Sequence, residues 1–250
     1  MRFLSKEEEL FLHERFRYFL DDEDEVYEII KGTRLKTKSG VQQTIDCIYA
    51  YMESNFLITS ASILSKRYGY YIANVPLAAM TLFDKLPQMD LENIELMQTT
   101  DEQKWFPKLK LKSKKVSEPG KFNRQDWMNA ELSKLFSNQV RPLFLHINQL
   151  TRLSMNVMWE NIAIYMFRFY ERELPQWYDS VTARRMQKDL LYIIGHLPGS
   201  AFGTKENPFG YFINQPIMNT GARQRKCCCL SYKLHCDSNF CKVCPHLRNS

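Results

Sequence analysis

Apolar residues recur along this chain with two different periods. Between Ser5 and Leu20, apolar side chains at Leu10, Phe11, Phe16, Phe19 and Leu20 stand among glutamates and arginines, which predicts a helix over 5–20. After Gly40, Ile45, Ile48, Tyr49 and Met52 fall at i, i+3, i+4 and i+7, one face of a helix over 41–54. A second helix is expected from about Thr59 through Tyr71. The apolar segment after it is interrupted at Pro76 and ends near Lys85, so Pro76 either kinks it or opens a new helix. Residues 86–115 change period. Leu109 and Leu111 alternate with Lys108, Lys110 and Lys112, residues 91–97 also alternate, and Thr99–Glu102 is a polar turn, which predicts a β-hairpin or small sheet.

Lys114–Gln125, with Pro119-Gly120, reads as a loop. A long helical stretch follows from Asp126 to about Arg152 with Pro142 inside it. Another runs from Ser154, its N-cap, to about Glu173, and a third from Pro175 to about Ile194. Gly195, Pro198, Gly199 and Gly203 then end the periodicity. The fold class is therefore mainly α with a small antiparallel hairpin or sheet, an α+β arrangement. Residues 1–221 form the scaffold and 222–250 a cysteine-rich, metal-binding tail.

Composition sharpens this picture. With 250 residues, 44% of them hydrophobic, the chain can bury a real core and is not globally disordered. Its apolar runs fall short of the roughly 20 residues of a membrane-spanning helix. Glutamates occupy the positions near the N-terminus where a signal peptide carries its apolar stretch, so a cytoplasmic protein is expected. The net charge of +6 is unevenly placed. Residues 222–250 hold Arg223, Arg225, Lys226, Lys233, Lys242 and Arg248 against Asp237 alone, and 104–124 hold eight bases against Glu118. Two basic patches on an acidic body point to anionic partners at particular places, not to a nucleic-acid coat. The strand lysines suit a solvent-facing edge that resists strand addition; docking of an acidic electron carrier or anionic ligand is the other reading.

Six of the seven cysteines lie in the last 24 residues: Cys227, Cys228, Cys229, Cys236, Cys241 and Cys244; Cys47 stands apart on the apolar face of its helix. In a reducing compartment such a cluster holds a metal. Cys241 and Cys244 form a C-x2-C, and four thiolates suffice for a structural Zn²⁺ or a [2Fe–2S] cluster. Arg225, Lys226, Lys233 and Lys242 favour thiolate over thiol. Zinc sites use spaced pairs, whereas Cys228 and Cys229 are adjacent and diverge, which a two-iron cluster accommodates more easily. His235 and His246 flank the cysteines and could serve a sulfur or, as in a Rieske centre, a metal. No P-loop, G-x-G-x-x-G or H-E-x-x-H is present, so no nucleotide, flavin or zinc-protease site is legible.

The tail, with Cys228-Cys229, then Tyr232-Lys233-Leu234, then Cys241 and Cys244, resembles the end of the bacterial ferric-siderophore reductases of the FhuF-like family, whose C-C-x10-C-x2-C motif binds a [2Fe–2S] cluster. The resemblance implies Cys228, Cys229, Cys241 and Cys244 as ligands. The middle gap is eleven residues, one longer than the pattern, and Cys227 and Cys236 are extra and could replace one of the first two. Ser60–Leu64 with Lys66-Arg67-Tyr68, Asp90–Ile94, and Val157–Asn161 are similar to the family's helices and strand, so that the likeness runs over most of the chain from about residue 40. Within the last stretch Trp159 reads as a core aromatic and Asn161 as a cap or bridge.

What the resemblance implies is one-electron reduction of siderophore-bound Fe(III), with electrons from a separate ferredoxin or reductase. It implies no nucleic-acid partner and is compatible with a place against the inner face of the membrane. Arg225, Lys226, Lys233 and Lys242 are the residues expected to steer an anionic substrate. The alternatives are a zinc-binding, non-catalytic module for nucleic acid or a protein partner, and a fragment of a siderophore synthetase.

Overall fold

The structure, a computed structural model, describes residues 2–20, 25–99, 104–121, 123–173, 180–234 and 239–247. In chain order the regular elements are β1 (Arg2–Phe3), α1 (Lys6–Arg15), β2 (Val26–Lys31), α2 (Lys38–Tyr51), α3 (Leu57–Asn74), α4 (Pro76–Phe83), β3 (Leu86–Pro87), β4 (Ile94–Thr99), β5 (Lys108–Leu111), β6 (Lys115–Ser117), α5 (Arg124–Ser133), α6 (Arg141–Thr151), α7 (Met155–Arg168) and α8 (Ser180–Leu191). The fold is mainly helical with small antiparallel sheets, as the two periods predict.

Local chemistry explains most of these boundaries. Ser5 and Glu8 close a reciprocal capping box on α1. The helix stops at Arg15, short of the expected Leu20, because Phe16 is extended and residues 17–19 turn to run beside β5: Leu109 N donates to Arg17 O at 2.7 Å and Phe19 N to Leu109 O at 2.8 Å. Pro76 takes the first turn of α4, where a missing N–H costs nothing. Pro142 is absorbed differently. The turn Lys134–Val140 between α5 and α6 is wound as a π-helix, so Arg141 N reaches back to Phe136 O and the long helical rod continues through the proline. Ser154 caps α7 by accepting from Asn156 N at 3.3 Å. Pro175, the expected start of the next helix, lies outside the described residues.

The expected hairpin is β4–β5, paired Ile94 with Leu111 and Leu96 with Leu109. Its lysine strand is last in the sheet order β2-β4-β5, but its outer side is not the open edge expected: Arg17–Phe19 lie along it, bridged at Tyr18 and Leu109. Two strands depart from expectation. β2 pairs along β4, with Ile30 buried while Tyr27 and Ile29 face outwards, so apolar residues on both faces hide the alternation. β6 falls inside the expected loop Lys114–Gln125, because it is ordered by distant partners: Phe3 opposite Lys115, and Leu86 opposite Ser117.

The core gathers around α3, a long helix with thirteen of its eighteen residues buried. Gly69 lets α3 approach α7 backbone to backbone; a Cβ there would lie 2.7 Å from Asn161 O. Trp159 on α7 sits among Phe136, Phe144, Phe202 and Phe209 with ring centroids 5.2–6.2 Å from its own, the packing expected of a core aromatic. Among the described residues no helix is long and apolar enough to cross a membrane.

Candidate metal centre on the cysteine tail

The tail is held on α3 and α7 by polar side chains that these helices bury. On α3, Ser62, Ser65, Lys66 and Gly69 fall at i, i+3, i+4 and i+7, giving a small, polar stripe. Ser62 Oγ donates to Cys229 O at 2.7 Å, and Ser65 Oγ accepts from Asn161 Nδ2 at 2.8 Å. On α7, Glu160 is 2% exposed, and its carboxylate accepts from the backbone N–H of Lys226 at 2.6 Å and of Cys227 at 2.8 Å. Arg225, also 2% exposed, lies 3.5 Å from that carboxylate and donates to Asn161 Oδ1 at 2.7 Å and Cys227 O at 3.0 Å. Asn161 is thus a bridge between α3 and the tail. Burial pushes the Glu160 carboxyl up, opposed by Arg225 and the two N–H donors.

From this clamp the chain turns through Leu230, a non-glycine residue at φ 60°. A left-handed turn at a branched residue is costly, and here it redirects the chain directly after the adjacent cysteines. Leu230 N points at Cys228 Sγ, 3.4 Å away. The second half folds back through Cys244 N to Cys241 O, 2.8 Å, which closes the C-x2-C turn, and is tied to the first half by Arg225 N to Val243 O, 2.8 Å. Gln224 Nε2 adds bonds to Cys244 O and Leu247 O.

The four expected ligands are brought together as two crossed pairs. Cys229 Sγ lies 3.8 Å from Cys241 Sγ. Cys228 Sγ and Cys244 Sγ approach within 4.8 Å of each other and of a ring nitrogen of His246. Each pair joins a buried sulfur, Cys229 or Cys244, to a half-buried one. Cys228, Cys244 and His246 form a group able to hold a metal ion.

The electrostatics separate the thiols. Cys229 is pushed down by the hydrogen bond from Cys241, with further help from Lys66, Arg225 and Ser231, so it is the sulfur most readily held as thiolate. Its partner Cys241 is pushed up in consequence, because one proton serves the pair. Burial raises Cys228. Cys227 rises to about 11 through burial and the Glu160 charge, and Glu160 takes up both its thiol and its backbone N–H. Cys236 and His235 lie outside the described residues. Cys47 is half-buried off the apolar face expected for it and directs its thiol to Glu28, 3.2 Å away.

The four expected steering cations meet different fates. Arg225 is buried in the clamp, so its charge acts inside the tail. Lys226 is exposed with Nζ 3.4 Å from the Tyr211 ring centroid, and Lys233 Nζ lies 5.0 Å from that of Phe56. Lys242 alone of the four is both exposed and beside Cys241. Two further residues join the site unannounced by the cysteine spacing: Lys66, whose Nζ is 3.8 Å from Cys229 Sγ, and Glu160. The signal for Lys66 was present in the polar stripe of an otherwise apolar helix; a lone glutamate beside Trp159 offered none. His246 merely flanks the cysteines in sequence, and the folded tail brings it to Cys228 and Cys244. No protein-family model matches the chain, and no curated protein matches it.

Proposed function

We propose that this chain is a [2Fe–2S] protein that passes single electrons to Fe(III) held in a small oxygen-donor chelate of the siderophore type. The observation that carries the reading is the sorting of four cysteines into two thiol pairs. A single tetrahedral zinc at about 2.3 Å from each sulfur needs all four within about 4 Å of one another. The four do not form one such group, whereas a two-iron cluster takes two thiolates at each iron. Cys228 with Cys244, and Cys229 with Cys241, are the residues that would hold it. The depressed Cys229 thiol and the cations Lys66 and Arg225 suit the negative charge of four thiolates.

When bound, the cluster supplies a one-electron redox couple. The chain's residues do the rest. Glu160, Asn161 and Ser62 fix the ligand-bearing backbone, and half-buried Cys241 keeps one ligand close to solvent and to a docked chelate. The substrate takes one electron, supplied by a separate ferredoxin or reductase, and Fe(III) becomes Fe(II). Hard oxygen donors hold Fe(II) more weakly, so the metal leaves. The resemblance of the tail to the ferric-siderophore reductases supports this chemistry, and a cytoplasmic setting without a nucleic-acid partner goes with it.

The proximity of His246 to Cys228 and Cys244 favours a second reading, a zinc site on a non-catalytic interaction module. Anaerobic purification separates the two. The reductase reading expects a red-brown protein with about two irons and two sulfides per chain, bleached by a one-electron donor and reoxidised by a ferric chelate. Cys241→Ser should lower iron content and alter the visible spectrum. Colourless protein containing stoichiometric zinc would overturn it.

A further inference from the structure

Beside the thiol pairs lies a cleft of about 440 Å³, within the size range of small-molecule sites. It is walled by the end of α7, the turn Phe169–Glu173, residues 220–225 and the Cys241–Val243 turn, with Lys66 reaching in from α3. Six cations border it, Lys66, Arg168, Arg172, Arg223, Arg225 and Lys242, against one carboxylate, Glu171. Three of the six have carboxylate partners. Arg223 grips Glu171 at 2.7–3.0 Å, Arg225 faces Glu160, and Arg168 donates to Glu173 at 2.6 Å.

The other three lack such a partner among the described residues. Arg172 and Lys242 are exposed without an ion pair, while Lys66 already faces the sulfur of Cys229. Like charges converging on one hollow repel, and the repulsion is relieved by an anion from outside. Ile164, Phe167 and Val243 contribute apolar surface to the same walls, so the cleft suits a compact ligand with an organic body and an anionic face. Cys241 is itself part of the wall.

We infer that this cleft binds the anionic face of a small ferric chelate, one bearing catecholate or carboxylate oxygens, through Arg172 and Lys242. The inference rests on the proposed reductase reading for what the ligand is there to do. Neutral trihydroxamate chelates lack the charge that these two cations would meet. Lys242 belongs to the steering group expected from sequence; Arg172 comes from a segment far from the tail in sequence.

A redox-inert probe tests binding apart from reduction. Gallium(III) tris-catecholate, a trianion, is titrated into the full-length protein by calorimetry, with a neutral gallium trihydroxamate as comparison. The trianion should bind at least tenfold more tightly than the neutral chelate, and its affinity should fall as salt rises from about 0.01 to 0.5 M. Arg172→Glu together with Lys242→Glu should weaken the trianion at least tenfold and leave the neutral probe unchanged. Lys121→Glu, on the exposed surface after β6, should change neither. Equal affinity for the two probes, or salt-insensitive trianion binding by the wild type, overturns the inference without recourse to any variant. So does unchanged trianion binding in the double variant. Binding through Arg172 and Lys242 in a protein that cannot reduce the ferric analogue would refute the reductase reading and leave the cleft standing. Undiminished reduction of the ferric trianion by the double variant would do the reverse.

Discussion

Removing the Glu160 carboxylate should release the cysteine tail from the helical body. Glu160 and Arg225 are both 2% exposed and 3.5 Å apart, and the carboxylate also takes the N–H groups of Lys226 and Cys227. Glu160→Ala therefore leaves a buried guanidinium without its counter-charge, at a cost of about 3–5 kcal/mol for a broken buried pair. The two stranded N–H groups would cost about 1–3 kcal/mol each if they stayed dry, but they share the same opening to water and do not add in full. Glu160→Gln also removes the counter-charge but keeps an oxygen for one of the two N–H groups and leaves no cavity, so it should lose less than alanine. Adding Arg225→Met to Glu160→Ala removes the orphaned charge and should recover part of the loss, because an apolar replacement of a whole buried pair is better tolerated than half of it. The assay is urea unfolding of all variants, with hydrogen exchange at Lys226 and Cys227 beside exchange in α3. Amide protection should fall in the tail first and persist in α3. A Glu160→Ala variant within about 1 kcal/mol of wild type, with Lys226 and Cys227 still protected, would refute the clamp.

Other consequences follow from the same contacts. Gly69→Ala should destabilise although alanine favours helix by about 1 kcal/mol, because its Cβ would meet the Asn161 backbone at 2.7 Å and overpacking costs about 1–3 kcal/mol; a raised Tm would contradict the tight α3–α7 contact. Cys47, raised to about 11 by burial and Glu28, should react slowly with iodoacetamide. Its neutral thiol is the favoured form in the fold, so at pH 8 its thiolate fraction is roughly 100-fold below that of an ordinary thiol. Peptide mapping after alkylation should show this lag disappearing in Glu28→Gln only in part, since burial is the larger cause; labelling as fast as in unfolded protein would refute it.

Much of the frame is local and was readable from residues alone. A 3.6-residue period, Ser154 at a cap and a break at Pro76 describe interactions within four residues of chain, and α2, α3, α4 and α7 form where those signals stand; that Pro76 opens α4 and does not kink a longer helix is seen only in the fold. The lysine-studded hairpin strand and the C-x2-C turn are equally short-range. What the residues could not show was any partner chosen across the fold. Strand β6 is ordered by β1 and β3, more than a hundred and about thirty positions away, so no periodicity of its own announces it. The crossing of Cys229 with Cys241 and of Cys228 with Cys244 depends on a left-handed turn at Leu230 and on a clamp from α7, not on spacing. Arg225 reads as a free surface cation until Glu160 and Asn161, some 64 residues earlier, are seen to bury it. Lys66 meets Cys229 across 163 residues. Charge and sulfur chemistry belong to the sequence; which charge faces which sulfur is settled by burial, because only a packed core can hold an arginine, a glutamate and a thiolate close enough, and dry enough, for their fields to matter.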